Sequence, residues 1–224
     1  MQSKSNSKKT RSSLLREDLL ITSLGQQPLI VLLRISGQDL EENNSNQIIT
    51  VINDLMNHEI RNIEIAWSSH PNWTSIASEV TKVIKDIKFG AASITNVSSL
   101  ELISEIGFSY AMCPFLDKEM VEKSQVLGQL LIPGVFSPSD IQAAIQLNCK
   151  IVKLFPASTL GLNYISQLKV PFDCIPFIIA AGGLKAKDIE PWLSAGHNAI
   201  VLGKGLYQKN AIDPLLKRWL KKNC

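Results

Sequence analysis

The sequence predicts an α/β fold, a single (β/α)8 TIM barrel with an extra N-terminal helix, on three observations. Eight short apolar runs recur along the chain, each followed by a helical segment, and strands joined by such crossovers are parallel. The runs are near-continuously apolar rather than alternating, as expected when both faces of a sheet are covered. Eight units of this kind close into a barrel. The competing fold, an open doubly wound sheet, lacks its usual support, because no glycine-rich dinucleotide fingerprint follows the first strand.

Residues 1–11 read as a disordered basic tail, rich in Ser and Lys and nearly free of apolar groups. Residues 12–224 read as the barrel. An extra helix over 12–24 is expected across its bottom. Strand one is Leu29–Leu33, and the helix after it, 39–58, carries Ile48, Ile49, Val51, Ile52 and Leu55. Strand two is Ile63–Ala66, followed by a helix over 74–85. Strand three spans 87–92, with a helix over 98–106. Strand four spans 110–113, with a helix over 117–126. Strand five spans 129–132, and its helix, 138–147, starts at Ser137 as N-cap with Asp140 three residues on. Strand six is the apolar run from Ile151 to Pro156 that contains Lys153. Strands seven and eight span 177–180 and 199–202, with helices between them and after the last.

Composition narrows the function classes. Lys4, Lys8, Lys9, Arg11 and Arg16 lie in an acid-free opening; without them the body holds 18 basic and 20 acidic residues, a net charge of −2. No basic stripe with interleaved aromatics crosses that body, so no nucleic-acid partner is expected. No apolar run reaches the roughly 18 residues that span a bilayer, so no membrane partner is expected either. Cys113, Cys149, Cys174 and Cys224 show no CxxC spacing and read as reduced thiols of a cytoplasmic protein. His58, His70 and His197 lack metal-ligand spacing, and no metal site is expected. The closing cations Lys217, Arg218, Lys221 and Lys222 suit the last turn of a helix.

The chemistry is expected where a barrel carries it, at the C-terminal ends of the strands. Lys153 stands inside an apolar strand. A lysine desolvated there loses its proton readily, and the neutral amine is a nucleophile for Schiff-base chemistry on a carbonyl. The plainer alternative is an ammonium that reaches water from the strand end. Glu64 lies between Ile63 and Ile65 in strand two, where an unpaired carboxylate is costly. Two readings stand level: a proton shuttle beside Lys153, or a structural ion pair with Arg34 at the end of strand one. Gly182-Gly183 follows strand seven, and Gly203-Lys204-Gly205 follows strand eight. Barrels build phosphate sites from such loops, using bare backbone N–H groups, and Lys204 adds a charge.

These residues resemble the 2-keto-3-deoxy-6-phosphogluconate/4-hydroxy-2-oxoglutarate (KDPG/KHG) aldolases, class I pyruvate aldolases, over about residues 29–206. The resemblance rests first on Val152-Lys153-Leu154-Phe155-Pro156-Ala157 with Leu160-Gly161. Next come Leu131-Ile132-Pro133-Gly134-Val135 and Ala180-Ala181-Gly182-Gly183-Leu184. Val31-Leu32-Leu33-Arg34, Ile63-Glu64-Ile65 and Gly90-Ala91-Ala92-Ser93 add weaker support. It implies Lys153 as the Schiff-base lysine and Glu64 as the proton-shuttling glutamate. It puts Ser93 in place of a threonine near the pyruvate carboxylate, Pro114 in the strand-four turn, and Phe155 in the pyruvyl pocket. Gly182 and Gly183 fall on the pair facing the substrate phosphate. It further implies retro-aldol cleavage of a small 2-keto acid to pyruvate and an aldehyde. No metal or organic cofactor is implied, because the iminium is the electron sink, and the assembly implied is a homotrimer.

The departures concern substrate recognition. The family's strand-two segment Glu-Val-Thr-Leu-Arg-Thr is Glu64-Ile65-Ala66-Trp67-Ser68-Ser69 in this chain, so Ser68 stands where an arginine would grip the carboxylate. Losing a bidentate, charge-assisted contact costs on the order of 2–3 kcal/mol of binding. Ser-Pro-Gly becomes Cys113-Pro114-Phe115, and Phe115 is expected to narrow the mouth. A threonine becomes Ala181, and a serine near the phosphate becomes Lys204. An aldolase acting on a phosphorylated 2-keto acid is therefore expected. The alternative is a barrel that binds a phosphorylated or anionic metabolite without lyase activity.

Overall fold

The computed structural model describes residues 11–168, 172, 174–208 and 211–223. The expected tail lies outside the described residues except for Arg11, which begins α1 (Arg11–Gln26). The strands are β1 (Leu29–Leu33), β2 (Ile63–Ala66), β3 (Gly90–Ala92), β4 (Tyr110–Met112), β5 (Leu130–Ile132), β6 (Gly134–Val135), β7 (Ile151–Leu154), β8 (Phe177–Ala181) and β9 (Ala199–Leu202). They form one parallel sheet in the order β5-β4-β3-β2-β1-β9-β8-β7-β6. Because β5 and β6 are consecutive in the chain, the two ends of that order meet and the sheet is a nearly closed barrel.

Pro133 splits the fifth stave into β5 and β6. Proline lacks the N–H that a continuous ladder needs, but its carbonyl still accepts from Lys153 N at 2.9 Å. The stave thus turns from β4 toward β7 without losing the ring. The expected barrel is what forms, with a strand beyond Pro133 that the apolar pattern does not mark.

Between β1 and β2 the single helix expected over 39–58 is two: α2 (Gly37–Glu41) and α3 (Asn46–Asn57). Asn43 breaks it, at φ 49°, a left-handed conformation that asparagine tolerates better than most residues. Then come α4 (Trp73–Val83), α5 (Val97–Ile106), α6 (Lys118–Leu127) and α7 (Pro138–Gln146). The last opens with the capping box formed by Ser137 and Asp140, as the sequence suggests. Two short helices, α8 (Ala157–Leu160) and α9 (Tyr164–Leu168), follow β7, and α10 (Ile189–Ser194) follows β8. A small antiparallel hairpin not expected from the sequence, β10 (Tyr207–Gln208) and β11 (Ala211–Ile212), precedes α11 (Pro214–Asn223).

Two apolar layers result. Outward-facing strand residues pack under the helices, with Trp73, Phe108, Ile65 and Val152 wholly buried. Trp192 and Trp219 belong to this layer, so both serve helix packing. Inward-facing residues, among them Ile30, Met112, Ile132, Ile151 and Ile179, fill the barrel. Leu20 and Leu24 of α1 join this second group, and Arg16 Nη1 donates to the Phe108 and Ser109 carbonyls at 2.9 and 3.2 Å. The extra helix therefore plugs the bottom, as expected, and leaves the opposite end of the barrel for a ligand.

Leu32, Glu64, Gly90, Tyr110 and Leu130 pair in register across β1 to β5, forming one rung of the barrel. Gly90 has no side chain because there is no room for one: a Cβ there would lie 2.7 Å from the Tyr110 hydroxyl and closer still to its ring.

Candidate active site

A cavity of about 610 Å³ opens at the C-terminal end of the barrel. Lys153 and Phe155 reach it from β7 and its end, Glu64 from β2, and Arg34 from the end of β1. Ser93 and Pro114 come from the ends of β3 and β4. Gly182, Gly183 and Lys185 line it after β8, and Gly203, Lys204 and Gly205 after β9. Parallel strands explain the convergence: every strand delivers its last residue to the same end.

Lys153 is only 6% exposed, and it lines the cavity. Its Nζ sits 4.8 Å from the centroid of the Phe155 ring. Burial pushes the amine below its ordinary value, and the nearby Glu64 and Cys113 push it back up. Glu64 is wholly buried. Burial raises its carboxyl from 4.5 to about 7, against the opposing pull of Lys153 and then of Tyr110. Desolvation thus disfavours both charges, and each group partly restores the other. The cation acting on Glu64 is Lys153, not Arg34, so the ion pair with Arg34 is not what holds that carboxylate. Burial also pushes the Cys113 thiol up, so it stays a thiol at neutral pH.

The glycine loop after β8 has a backbone reason. Gly182 and Gly183 stand at φ 97° and 79°, where a side chain is strained, and a Cβ on Gly183 would collide with the Ser158 side chain. Ser93, at φ 63°, holds a left-handed conformation without being glycine. Such strain, of order 1–3 kcal/mol, clusters at functional sites.

Nine of the ten residues singled out from the sequence line this cavity; Ser68 does not. Its hydroxyl accepts from His70 N at 3.2 Å, within the β2–α4 loop. That loop is set by Trp73, whose indole N–H donates to the Ala66 carbonyl at 2.8 Å and whose ring meets Trp67 edge-on at 4.6 Å. Ser68→Ala is therefore expected to leave kcat/KM for a 2-keto acid within about threefold of the parent, as for a side chain away from the ligand. A tenfold loss in a steady-state assay would put Ser68 on the substrate after all. Phe115 is also absent from the lining and is 43% exposed, so it does not narrow the mouth.

Sequence reasoning missed Tyr110 and Lys185. The signal for Tyr110 was available in part: a tyrosine inside an apolar strand needs a partner for its hydroxyl. Lys185 gave no signal, since it is one lysine in a polar loop. A second cavity, of about 810 Å³, lies at the other end of the barrel beneath α1. It is larger, but it lacks the buried lysine–carboxylate pair, so the upper cavity is the candidate for chemistry. Among the described residues, no group of three or more His, Cys, Asp or Glu is placed to hold a metal ion. No helix among them is long and apolar enough to cross a membrane.

Comparison with known proteins supplies the family. A family model described as KDPG and KHG aldolase matches residues 33–216. A probable 2-dehydro-3-deoxy-6-phosphogalactonate aldolase of Rhizobium meliloti is 26% identical over 82% of this chain and 83% of its own length. A 2-dehydro-3-deoxy-6-phosphogalactonate aldolase of Escherichia coli is 23% identical over 65% of this chain and 71% of its own. Among solved structures, a KDPG aldolase from Legionella pneumophila, with pyruvate captured as a covalent carbinolamine, superposes with a TM-score of 0.75. It is 19% identical and the match covers 91% of this chain and 97% of that one, a likeness of fold.

Proposed function

The chain belongs to the KDPG and KHG aldolase family, and on that premise we propose that it is a class I aldolase. It cleaves a phosphorylated 2-keto-3-deoxy sugar acid, or a 4-hydroxy-2-oxoglutarate-like 2-keto acid, to pyruvate and an aldehyde. The single observation that carries the reading is the pairing of a buried lysine with a buried glutamate in one cavity at the C-terminal end of the barrel. The names of the relatives from Rhizobium meliloti and Escherichia coli support a phosphorylated sugar acid.

In this reading the neutral Lys153 amine attacks C2 of the 2-keto acid. The carbinolamine loses water to give an iminium, which withdraws electrons from the C3–C4 bond. Glu64 accepts the C4 hydroxyl proton, directly or through a water, as that bond breaks and the aldehyde leaves. The enamine takes a proton back at C3 from the Glu64 carboxyl, and hydrolysis frees pyruvate and Lys153. A carboxyl near 7 suits a group that must both accept and return a proton at neutral pH. Ser93 and Phe155 border the pyruvyl part. Lys204 and Lys185, with the glycine loops, suit the phosphate. Arg34 is left to face the carboxylate in place of the strand-two arginine that Ser68 replaces. The reading includes a cytoplasmic homotrimer, which light scattering checks as to size.

A second reading, an anion-binding barrel without lyase activity, is favoured by one observation: β2 sends no guanidinium into the cavity. Borohydride reduction in the presence of pyruvate separates the two. A reduced pyruvyl adduct on the peptide containing Lys153, read by mass spectrometry, is the expected result. A folded sample that forms no adduct at high pyruvate favours the binding barrel.

A further inference from the structure

Tyr110 sits on the same rung as Glu64, with only Gly90 between them. Neighbouring strands lie about 4.8 Å apart, so two residues separated by one strand normally do not touch. In this barrel the intervening residue has no side chain, and the phenol of Tyr110 fills the gap. Its hydroxyl lies 2.7 Å from where a Gly90 Cβ would be, so it reaches from β4 over β3, toward the strand that carries Glu64. Tyr110 is 2% exposed. The Tyr110 hydroxyl and both Glu64 carboxylate oxygens are buried without a hydrogen-bond partner at standard geometry among the described residues, so an unused donor and an unused acceptor stand on the same rung.

We propose that Tyr110 is a positioning residue for Glu64: its phenol, threaded through the gap left by Gly90, donates to the Glu64 carboxylate, fixes its rotamer and stabilises its anionic form. The catalytic consequence rests on the aldolase reading, because only a Glu64 that moves protons needs that tuning. The contact itself does not depend on that reading. Two groups face Glu64 inside the barrel: Lys153 from β7, and Tyr110 from β4. Arg34, Lys185 and Lys204 stand nearer the mouth, and Cys113 acts on Lys153 instead. Lys153 supplies charge, but its amine is consumed when it becomes an iminium. A phenol from another strand holds the carboxylate through every step. Burial and the Glu64 charge push the Tyr110 hydroxyl well above its ordinary value, so it remains a donor throughout.

The test is Tyr110→Phe, which removes one oxygen and keeps the ring over Gly90. The carboxyl of Glu64 is titrated by infrared spectroscopy, with Glu64→Gln identifying its band. Loss of a hydrogen bond to a charged acceptor is expected to raise the midpoint by about one to two pH units, with circular dichroism unchanged. The acid limb of the kcat/KM profile should move by the same amount while the alkaline plateau changes little, an outcome that a merely structural tyrosine would not give. Fluorotyrosine at position 110, a stronger donor, should move the midpoint the other way. A midpoint that stays in place in both variants overturns the proposal. If the parent protein has no lyase activity, the aldolase reading fails, and the infrared titration still decides the contact.

Discussion

Lys153→Ala is expected to abolish lyase turnover, with kcat falling by roughly 10⁴ or more, as when a covalent nucleophile is removed. The borohydride-trapped adduct should vanish with it. The residue is buried and its only described cation–ring contact is with Phe155, so Lys153→Met, which keeps most of the volume, should show the same loss and guard against a packing artefact. Both variants should still bind inorganic phosphate, because Lys204, Lys185 and the glycine loops are untouched. Turnover above about 1% of the parent rate, far more than loss of a covalent nucleophile leaves, would rule out a Schiff base at this position. The same result with an adduct on another lysine would move the chemistry elsewhere.

Glu64→Gln should lower kcat/KM by about 10² to 10⁴, the usual contribution of a positioned acid–base group, while a pyruvyl adduct still forms on Lys153, slowly. Parent activity should rise with pH through about 7 as the carboxyl ionises, and the variant should lack that limb. Stability gives an independent reading. The carboxyl is raised from 4.5 to about 7 in the fold. Between those values the folded state keeps a proton that the unfolded chain has released, so the contribution of Glu64 to stability falls as pH rises through the window and is level above it. The loss is on the order of 3 kcal/mol, from the free energy per pH unit across the shift. Urea titrations at about pH 4.5 and about pH 8, on either side of that window, should show the decline in the parent, and Glu64→Gln should lack it. An equal decline in the variant would place the titrating group elsewhere.

Much of the candidate site was legible because a parallel barrel orders its residues simply. A polar residue at the C-terminal end of a strand lands in the mouth whatever the helices do, so Lys153, Ser93, Pro114, Arg34 and the two glycine loops needed only their strands to be recognised. Ser68 and Phe115 failed for the complementary reason. They lie past the strand ends, in loops whose course is set by local packing: Trp73 turns the β2–α4 loop, and Phe115 faces solvent. The break at Asn43 was likewise invisible to an apolar pattern that runs on through the following turns.

Periodicity and turn chemistry are local properties of a chain, so the architecture, the strand that carries Lys153 and the glycine turns could be read directly from the residues. Which charge faces Glu64 could not. Lys153 and Arg34 were equally available as partners, and the choice depends on barrel closure through Pro133, which brings β7 round to complete the interior. The purpose of Gly90 was hidden in the same way. A glycine in a strand says that something comes close. That the visitor is the Tyr110 ring, reaching for a carboxylate two strands away, depends on a register that no single strand encodes.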